Sequence, residues 1–278
     1  MKTFVINMKK DVRRKRDMQK QFKKFNVDVE FFEGINGKKI KKEHFSQIAD
    51  KEKLEAKEKR PLDELKGMVG CTYSHFLIYQ KMMNERIEVA CILEDDVILS
   101  KEFKKQIDWV ENQIKKNEII SLHTLLYDPV NFEATGRTND TCNICNPTPP
   151  KIRGTQGYVI TLYCAKQLMT EMIPIKEFPD CFNRYQLFCP DVQIRVLFPF
   201  IIRHMWIDSV RDDKKYGLKD HLLNLIQRYR IFPFWNMIRI RRRKLNDQHI
   251  GSFISQSNSP ITRMYVEDIC QLDIFSKL

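Results

Sequence analysis

Residues 88–97 read Glu-Val-Ala-Cys-Ile-Leu-Glu-Asp-Asp-Val, an apolar run that ends in three consecutive carboxylates. A short apolar run bounded by charged residues is typical of a buried β-strand. Nearer the start of the chain, strand-like segments at 3–7 and 27–32 enclose a segment of helical period at 13–25. Strands that alternate with helical segments predict an α/β protein whose sheet is flanked by helices.

The same alternation continues to about residue 200. Helices are expected at 67–84, 101–117 and 165–172, and strands at 119–122, 157–161 and 192–198. Residues 127–150 are rich in Asn, Thr and Pro without a clear period, and we expect a long loop that acts as a lid. We therefore predict one α/β domain over residues 1–215 and a basic helical appendage over residues 216–278.

The 278-residue chain carries a net charge of +12 at pH 7, which favours polyanionic partners. Much of this charge is local, because the stretch from His221 to Asn246 contains seven Arg or Lys residues and no acidic residue. Aromatic and aliphatic residues are interleaved with these cations, as in segments that lie on an anionic membrane surface. The alternatives are a solvated basic helix packed on the domain and an RNA contact. The membrane surface is favoured, and no nucleic acid is expected.

The eight cysteines are scattered, and the N-terminus leads into a strand-like segment and not into a secretory signal. We therefore expect reduced thiols in a cytosol. Cys142 and Cys145 have metal-ligand spacing, but no second pair follows, so two free thiols in a loop are favoured over a zinc site. No apolar run reaches the roughly 18 residues that a membrane-spanning helix requires.

The carboxylates Glu94, Asp95 and Asp96 are the first candidate functional residues. Adjacent like charges repel unless a cation neutralises them. Because alternate residues of an extended chain point the same way, Glu94 and Asp96 are predicted to bind one metal ion while Asp95 faces a sugar hydroxyl. Oxygen ligands suit Mg²⁺ or Mn²⁺, which also bind substrate phosphates, and this is the chemistry of holding a nucleotide diphosphate. The alternative is a charged strand end that caps a helix near Ser100.

Residues 70–75, Gly-Cys-Thr-Tyr-Ser-His, stand about 20 residues before the run Leu-Glu-Asp-Asp at 93–96. This pair of motifs resembles glycosyltransferase family 25, which contains bacterial lipopolysaccharide and lipooligosaccharide sugar transferases and relatives of the collagen galactosyltransferases. Three further parts resemble that family: Val5-Ile6-Asn7-Met8 with Arg13-Arg14, Gly34-Ile35-Asn36-Gly37, and Gly157-Tyr158-Val159-Ile160 with Ala165. The resemblance extends over about residues 3–210.

The resemblance implies a GT-A type nucleotide-sugar-binding fold and metal-dependent transfer of a hexose from a UDP-sugar. UDP-galactose is the leading donor, Mn²⁺ or Mg²⁺ the metal, and a lipooligosaccharide or lipopolysaccharide the acceptor. The candidate donor-binding residues are Asn7, Arg14, Asn36, Ser74 and His75. Arg14 suits a phosphate because guanidinium binds it bidentately, although a solvated helix cation is the alternative. His75 can contact the donor or the acceptor, or it can be a packed, hydrogen-bonded histidine.

A late Pro-x-Asp element of the family points to a further aspartate. Asp180 and Asp191, which follow Pro179 and Pro190, could each match it, and the distance to Phe198-Pro199-Phe200 favours Asp180. We predict that Asp180 is the general base or an acceptor anchor. Asp95 is the second candidate catalytic residue. Inversion at the sugar carbon is implied by the resemblance alone.

These features together predict a cytoplasmic enzyme that is peripheral on the inner face of the bacterial inner membrane. The basic segment would lie on the anionic surface beside a lipid-linked oligosaccharide acceptor. The alternative is a non-catalytic basic module that binds anionic lipid or RNA. A phosphotransferase is disfavoured because the chain has no Gly-x-x-x-x-Gly-Lys loop.

Overall fold

The computed structural model describes residues 1–124, 131–148, 150 and 152–204, together with residues 222, 231–234 and 236–237. The strands within these residues are β1 (Lys2–Asn7), β2 (Glu30–Glu33), β3 (Val89–Glu94), β4 (Val97–Leu99), β5 (Glu118–Ser121), β6 (Asn131–Thr138), β7 (Asn143–Thr148), β8 (Gly157–Thr161), β9 (Gln193–Phe198) and β10 (Ile202–His204). The α-helices are α1 (Val12–Phe25), α2 (Lys42–Ile48), α3 (Lys51–Glu58), α4 (Leu62–Glu85), α5 (Phe103–Gln113), α6 (Leu162–Met172) and α7 (Phe182–Phe188).

Eight strands form one mixed sheet in the order β2-β1-β3-β8-β5-β9-β7-β6, and β10 pairs with β4 in a small second sheet. The strands β2, β1 and β3 are parallel, with Ile6 opposite Phe32 on one side and Glu94 on the other. Their carboxyl ends therefore lie at one edge of the sheet. The strand β8 runs antiparallel to β3 and begins at the same edge, with Gly157 opposite Leu93.

The core lies on both faces of the sheet, because every buried strand sends alternate side chains to opposite faces. Phe4 and Ile92 belong to a cluster with α4, α6 and α7. Val5 and Leu93 belong to a second cluster with α1 and α5. A third cluster joins α2 and α3 to the start of α4, with Leu54 fully buried. This architecture, a sheet flanked by helices, confirms the predicted α/β class.

The predicted lid over residues 127–150 is wrong in its described part. Residues 131–138 and 143–148 form the antiparallel hairpin β6–β7, and β7 pairs with β9. The alternation of apolar and polar residues that marks a strand was hard to recognise, because this hairpin ends the sheet and has a polar outer face. Phe132 and Ile144 are nevertheless buried. Arg137, near the turn, binds the fully buried Glu118 of β5 through two guanidinium nitrogens.

The predicted zinc alternative at Cys142 and Cys145 has no support in the fold, because the two side chains belong to core clusters on opposite faces. The basic appendage predicted over residues 216–278 lies almost entirely outside the described residues. Among the helices that the structure does describe, none combines the length and the apolar composition needed to cross a bilayer.

Candidate active site

A cleft opens where the carboxyl ends of β1, β2 and β3 face the middle of α4. Such an edge is the usual ligand-binding position in open α/β sheets. The side chains and backbone that line it come from the ends of the strands, the start of α1, the turn after β2 and α4: Ile6, Met8, Lys10, Asp11, Arg14, Gly34, Ile35, Asn36, Gly37, Lys38, Gly67, Cys71, Ser74, Glu94, Asp95 and Asp96.

Asp95 lies at the centre of the polar contacts in this cleft. Asn7 at the end of β1 donates from Nδ2 to Asp95 Oδ2 at 2.6 Å. Arg14 on α1 donates from Nη1 to Asp95 Oδ1 at 2.9 Å, and the same nitrogen is 3.6 Å from Asp96 Oδ2. The structure therefore brings three elements together on one carboxylate, although Asp95 lies 88 residues after Asn7 and 81 residues after Arg14 in the sequence.

Burial governs the electrostatics of this cluster. Asp95 and Asp96 are 6% and 7% exposed. Burial raises the pKa of Asp95 above its usual value, although Arg14 and the hydrogen bond from Asn7 act in the opposite direction. Two buried carboxylates that contact one guanidinium leave an excess of negative charge, and an additional cation would offset it. The oxygen donors at this position therefore fit a hard divalent metal ion.

Glu94 points to a different set of partners. Its Oε1 accepts a hydrogen bond from Thr155 Oγ1 at 2.7 Å. Ligand atoms of Glu94, Cys71 and His75 lie within 4.8 Å of one another. The strand β3 ends at Glu94, and the next two residues form a turn. The alternation used to pair Glu94 with Asp96 therefore stops at Glu94, and the assignment of these two residues to one metal ion stays a prediction.

Ser74 connects α4 to the turn that follows β2. Its Oγ accepts from the backbone N–H of Ile35 at 2.8 Å and donates to the carbonyl oxygen of Gly70 at 2.7 Å. The turn and the helix touch through glycines, since a Cβ on Gly70 would lie 2.5 Å from the backbone nitrogen of Gly37. Ser74 thus fixes one wall of the cleft, and both glycine motifs of the sequence are explained by this close approach.

His75 is fully buried beneath the cleft. Its Nδ1 is 2.8 Å from the hydroxyl of Tyr158, which is 2.7 Å from the hydroxyl of Tyr79. Burial raises the pKa of both tyrosines above the usual value of 10.0, so the two hydroxyls are protonated at neutral pH by a wide margin. His75 is packed and hydrogen-bonded in the structure, and its ring lies close to Cys71 and Glu94 at the cleft. A contact of His75 with the donor or the acceptor stays a prediction.

The remaining predicted residues are Asn36, Asp180 and Asp191, and only the first of them lines the cleft. Asn36 lines the cleft, and its side chain accepts from the backbone of Lys38 at 3.1 Å. Asp180 is half-buried and is not among the lining residues, but its carbonyl oxygen accepts from Gly154, next to the Thr155 that holds Glu94. Asp191 is exposed and contacts Asn117 through its backbone.

Two residues of the site received no role from the sequence. Cys71 lines the cleft one helical turn before His75. Residues four apart on a helix lie on the same face, so this spacing could have indicated that Cys71 and His75 are neighbours. Thr155 lies before β8, 61 residues after its partner Glu94, and no local pattern indicates such a contact.

Comparison with known proteins identifies the family of this chain. A profile of the family described as glycosyltransferase family 25 (LPS biosynthesis protein) matches residues 1–182. A glycosyltransferase 25 family member of Aedes aegypti is 27% identical over 199 residues, which are 66% of this chain and 31% of that protein. Lipooligosaccharide biosynthesis protein lex-1 of Haemophilus influenzae is 35% identical over 113 residues, 37% of this chain and 36% of that protein.

The chain thus spans about a third of the length of these curated relatives. Among solved structures, a glycosyltransferase involved in glycosylating the major capsid of PBCV-1 is similar over 75% of this chain and 93% of that chain, with 13% identity and a TM-score of 0.37. That score is too low to support an argument about fold. The family profile covers well over half of the chain, including both motifs and the whole carboxylate cluster. The chain belongs to glycosyltransferase family 25.

Proposed function

We propose that this protein is a glycosyltransferase that moves a hexose, with galactose as the leading candidate, from a UDP-sugar to a lipooligosaccharide or lipopolysaccharide acceptor. The observation that carries the proposal is the pair of buried carboxylates, Asp95 and Asp96, that contact one guanidinium in a cleft at the carboxyl ends of three parallel strands. Family membership supports the reaction class. The names of two relatives support the acceptor and the sugar: lipooligosaccharide biosynthesis protein lex-1 and human procollagen galactosyltransferase 2.

The donor diphosphate would lie between the carboxylates and the turn after β2. Glu94 and Asp96 are the proposed ligands of a Mn²⁺ or Mg²⁺ ion, which would neutralise charge on the departing diphosphate. Arg14 is placed to exchange part of its contact with Asp95 for a phosphate oxygen. Asn7 keeps Asp95 oriented, and Asn36 offers a polar side chain on the facing wall.

An inverting transfer requires a base near the acceptor hydroxyl. Asp180 is our candidate because its carbonyl oxygen accepts a hydrogen bond from the backbone N–H of Gly154. The next residue, Thr155, donates to Glu94, so a short backbone segment links Asp180 to the carboxylate cluster. Its carboxylate lies outside the cleft lining, where an acceptor would approach. Asp95 is the alternative base, although its contacts with Arg14 and Asn7 occupy both carboxylate oxygens and favour a supporting role in donor binding.

The C-terminal segment is proposed to hold the enzyme on an anionic membrane surface at the cytoplasmic face. The described residues of this segment include four exposed apolar side chains: Ile231, Phe232, Phe234 and Met237. They stand four to ten residues before the run Arg241-Arg242-Arg243-Lys244. Exposed apolar residues beside a cluster of cations match the chemistry of an interfacial segment. A lipid-linked acceptor would be presented at the same surface.

The test is a screen of UDP-sugars with and without Mn²⁺, followed by thermal unfolding and by release of UDP. We expect UDP-galactose with Mn²⁺ to raise the unfolding temperature, since a ligand at 100 times its dissociation constant stabilises a protein by about 2.7 kcal/mol. Addition of the acceptor should accelerate UDP release. Salt-sensitive RNA binding without any effect of UDP-sugars would support a non-catalytic basic module and would contradict the proposal.

A further inference from the structure

A second group of potential metal ligands lies beside the carboxylate pair. Cys71 and His75 are one turn apart on α4, and Glu94 ends the strand that faces them. One ligand atom from each residue lies within 4.8 Å of the other two. Within the residues that the structure describes, no other three His, Cys, Asp or Glu side chains converge in this way. A cation placed among them would need only small side-chain movements to reach bonding distances of about 2.0–2.3 Å.

Hydrogen bonds outside the group orient two of its members. A metal-binding imidazole commonly uses one ring nitrogen for the metal and the other for a hydrogen bond. The Nδ1 of His75 is 2.8 Å from the hydroxyl of Tyr158, which assigns the cation to Nε2. Glu94 is held in the same manner, because its Oε1 accepts from Thr155 Oγ1 at 2.7 Å. Such contacts fix the direction of a ligand before a metal binds.

The chemistry of this group differs from that of the aspartates. A thiolate, an imidazole and a carboxylate select Zn²⁺ and similar borderline ions, whereas the all-oxygen pair Asp95 and Asp96 suits Mg²⁺ or Mn²⁺. Cys71 and Glu94 both line the cleft, so the group is accessible from the donor side. Three protein ligands with a fourth position open to a cleft form the arrangement of an accessible zinc site, not of a closed structural one.

We propose that Cys71, His75 and Glu94 form a second cation site, specific for Zn²⁺-like ions, that takes Glu94 away from the donor metal. Binding would release the thiol proton of Cys71 to solvent and form one sulfur, one nitrogen and one oxygen bond to the ion. The protein then has two mutually exclusive uses of Glu94. Zn²⁺ bound at this site lowers sugar transfer by competing with Mn²⁺ for Glu94. The binding stands on its own, whereas the effect on transfer rests on the proposed function.

The binding test is a titration of the full-length, reduced, chelator-treated protein with Co²⁺, followed by the thiolate-to-cobalt charge-transfer absorption. We expect one equivalent of Co²⁺ to produce the band and Zn²⁺ to remove it. Cys71→Ser should abolish the band, and Glu94→Gln should weaken Co²⁺ binding on the order of 100-fold. Cys189→Ser is the matched control, because this buried thiol lies at the end of α7 and should leave the band unchanged.

Absence of a thiolate band in the unmodified protein, or a band that survives Cys71→Ser, would overturn the site. The serine and glutamine side chains introduced by Cys71→Ser and Glu94→Gln are close in size to the natural ones. Neither substitution changes His75 or Tyr158, whose hydrogen bond should therefore persist. A circular dichroism spectrum equal to that of the unmodified protein identifies a folded variant. The result does not depend on any sugar nucleotide.

The effect on transfer is measured as the ratio of UDP release with and without Zn²⁺ at fixed Mn²⁺. We expect Zn²⁺ to reduce the rate at least tenfold in the unmodified protein and to have little effect on the ratio in Cys71→Ser. Co²⁺ binding together with an unchanged ratio would refute the sharing of Glu94. Absence of UDP release under every condition would count against the proposed function and not against the cation site.

Discussion

Arg14 donates from Nη1 to Oδ1 of Asp95 at 2.9 Å, so a helix near the N-terminus and the turn after β3 meet in one ion pair. The pair is largely buried, with side-chain exposures of 17% and 8%. Asp96 is only 3.6 Å from the same nitrogen. One guanidinium therefore occupies the position where the carboxylates, a metal ion and a diphosphate are proposed to meet.

Arg14→Ala is expected to separate metal binding from nucleotide binding. Loss of the guanidinium removes a competitor for the carboxylates, so Mn²⁺ alone should bind at least as tightly, while UDP should bind about tenfold or more weakly because a charged phosphate contact is lost. The exposed neighbour Arg13→Ala is the control. Calorimetric titration measures both affinities, and equal UDP affinities in the two variants would show that Arg14 does not contact the donor.

Gly70→Ala tests the contact between α4 and the turn after β2. Its new Cβ would lie 2.5 Å from the backbone nitrogen of Gly37 and 2.5 Å from the carbonyl oxygen of Ile35, so the turn must move. Gly34→Ala is the milder control, because the closest atoms to its Cβ would be side-chain atoms of Ile6 and Met8 at 3.2 Å, and the nearest backbone atom, the carbonyl carbon of Asn7, would be at an ordinary 3.7 Å. We expect Gly70→Ala to weaken UDP binding strongly and Gly34→Ala to weaken it little. Similar losses in the two variants would argue against this wall of the cleft.

Glu118 gives a prediction about pH. Burial alone would raise the pKa of this carboxyl, but hydrogen bonds from Arg137, the backbone of Lys115 and Arg195 outweigh it and hold the pKa below the usual value of 4.5. The unfolded chain then binds the proton more readily than the folded one. The contribution of Glu118 to stability is therefore present above pH 4.5 and is lost as the pH falls through the lowered pKa.

Glu118→Gln should remove this loss of stability at acidic pH. It should also lower the free energy of unfolding by about 3 kcal/mol at neutral pH, since two arginines lose a buried charged partner. Urea unfolding between pH 3 and pH 7 measures both effects. The control is Glu85→Gln, which breaks only a surface ion pair with Lys81 and should cost less than about 1 kcal/mol. A loss no larger than that of the control would contradict the role of Glu118.

The basic segment predicts a charge-dependent association with membranes. Replacing Arg241, Arg242 and Arg243 with Gln should weaken binding to vesicles that contain anionic lipid by about two orders of magnitude, at roughly 1 kcal/mol per cation. Replacing three exposed cations of α1 with Gln, namely Arg16, Lys20 and Lys23, is the matched control. Vesicle cosedimentation measures the effect. Equal binding by both triple variants would show that net charge alone, and not this segment, attracts the membrane.

The sequence was informative where a local period or a paired motif existed, and uninformative where a contact joined distant residues. The run that ends in Glu94 predicts β3 and the position of the carboxylates, because a buried strand has a short apolar signature. The direction of each carboxylate depends on the turn at residues 95 and 96, which alternation does not describe. The hairpin at 131–148 was missed because buried and exposed residues do not alternate along β7, where Ile144, Cys145 and Pro147 are buried among Asn and Thr residues.

The two glycine motifs show the same limit. Each is visible in the sequence, yet their contact through Ser74 and Ile35 joins residues 39 positions apart and arises only when α4 packs against the turn. The ion pair of Arg14 with Asp95 spans 81 residues. Residue types therefore identified some of the side chains that line the cleft, such as Arg14, Asn36 and Ser74, but not Cys71, and they also selected Asp180, which does not line it. Packing determines which of these side chains touch.

The cleft is proposed to bind a UDP-sugar through a divalent cation held by the carboxylates. Calorimetric titration of UDP into the full-length protein with saturating Mn²⁺, compared with Asp96→Asn, tests it most directly. We expect Mn²⁺-dependent binding in the natural protein and a loss of at least 100-fold in Asp96→Asn, whose side chain keeps its size but loses its charge. Equal UDP affinity in both proteins, or binding that is independent of Mn²⁺, would contradict it.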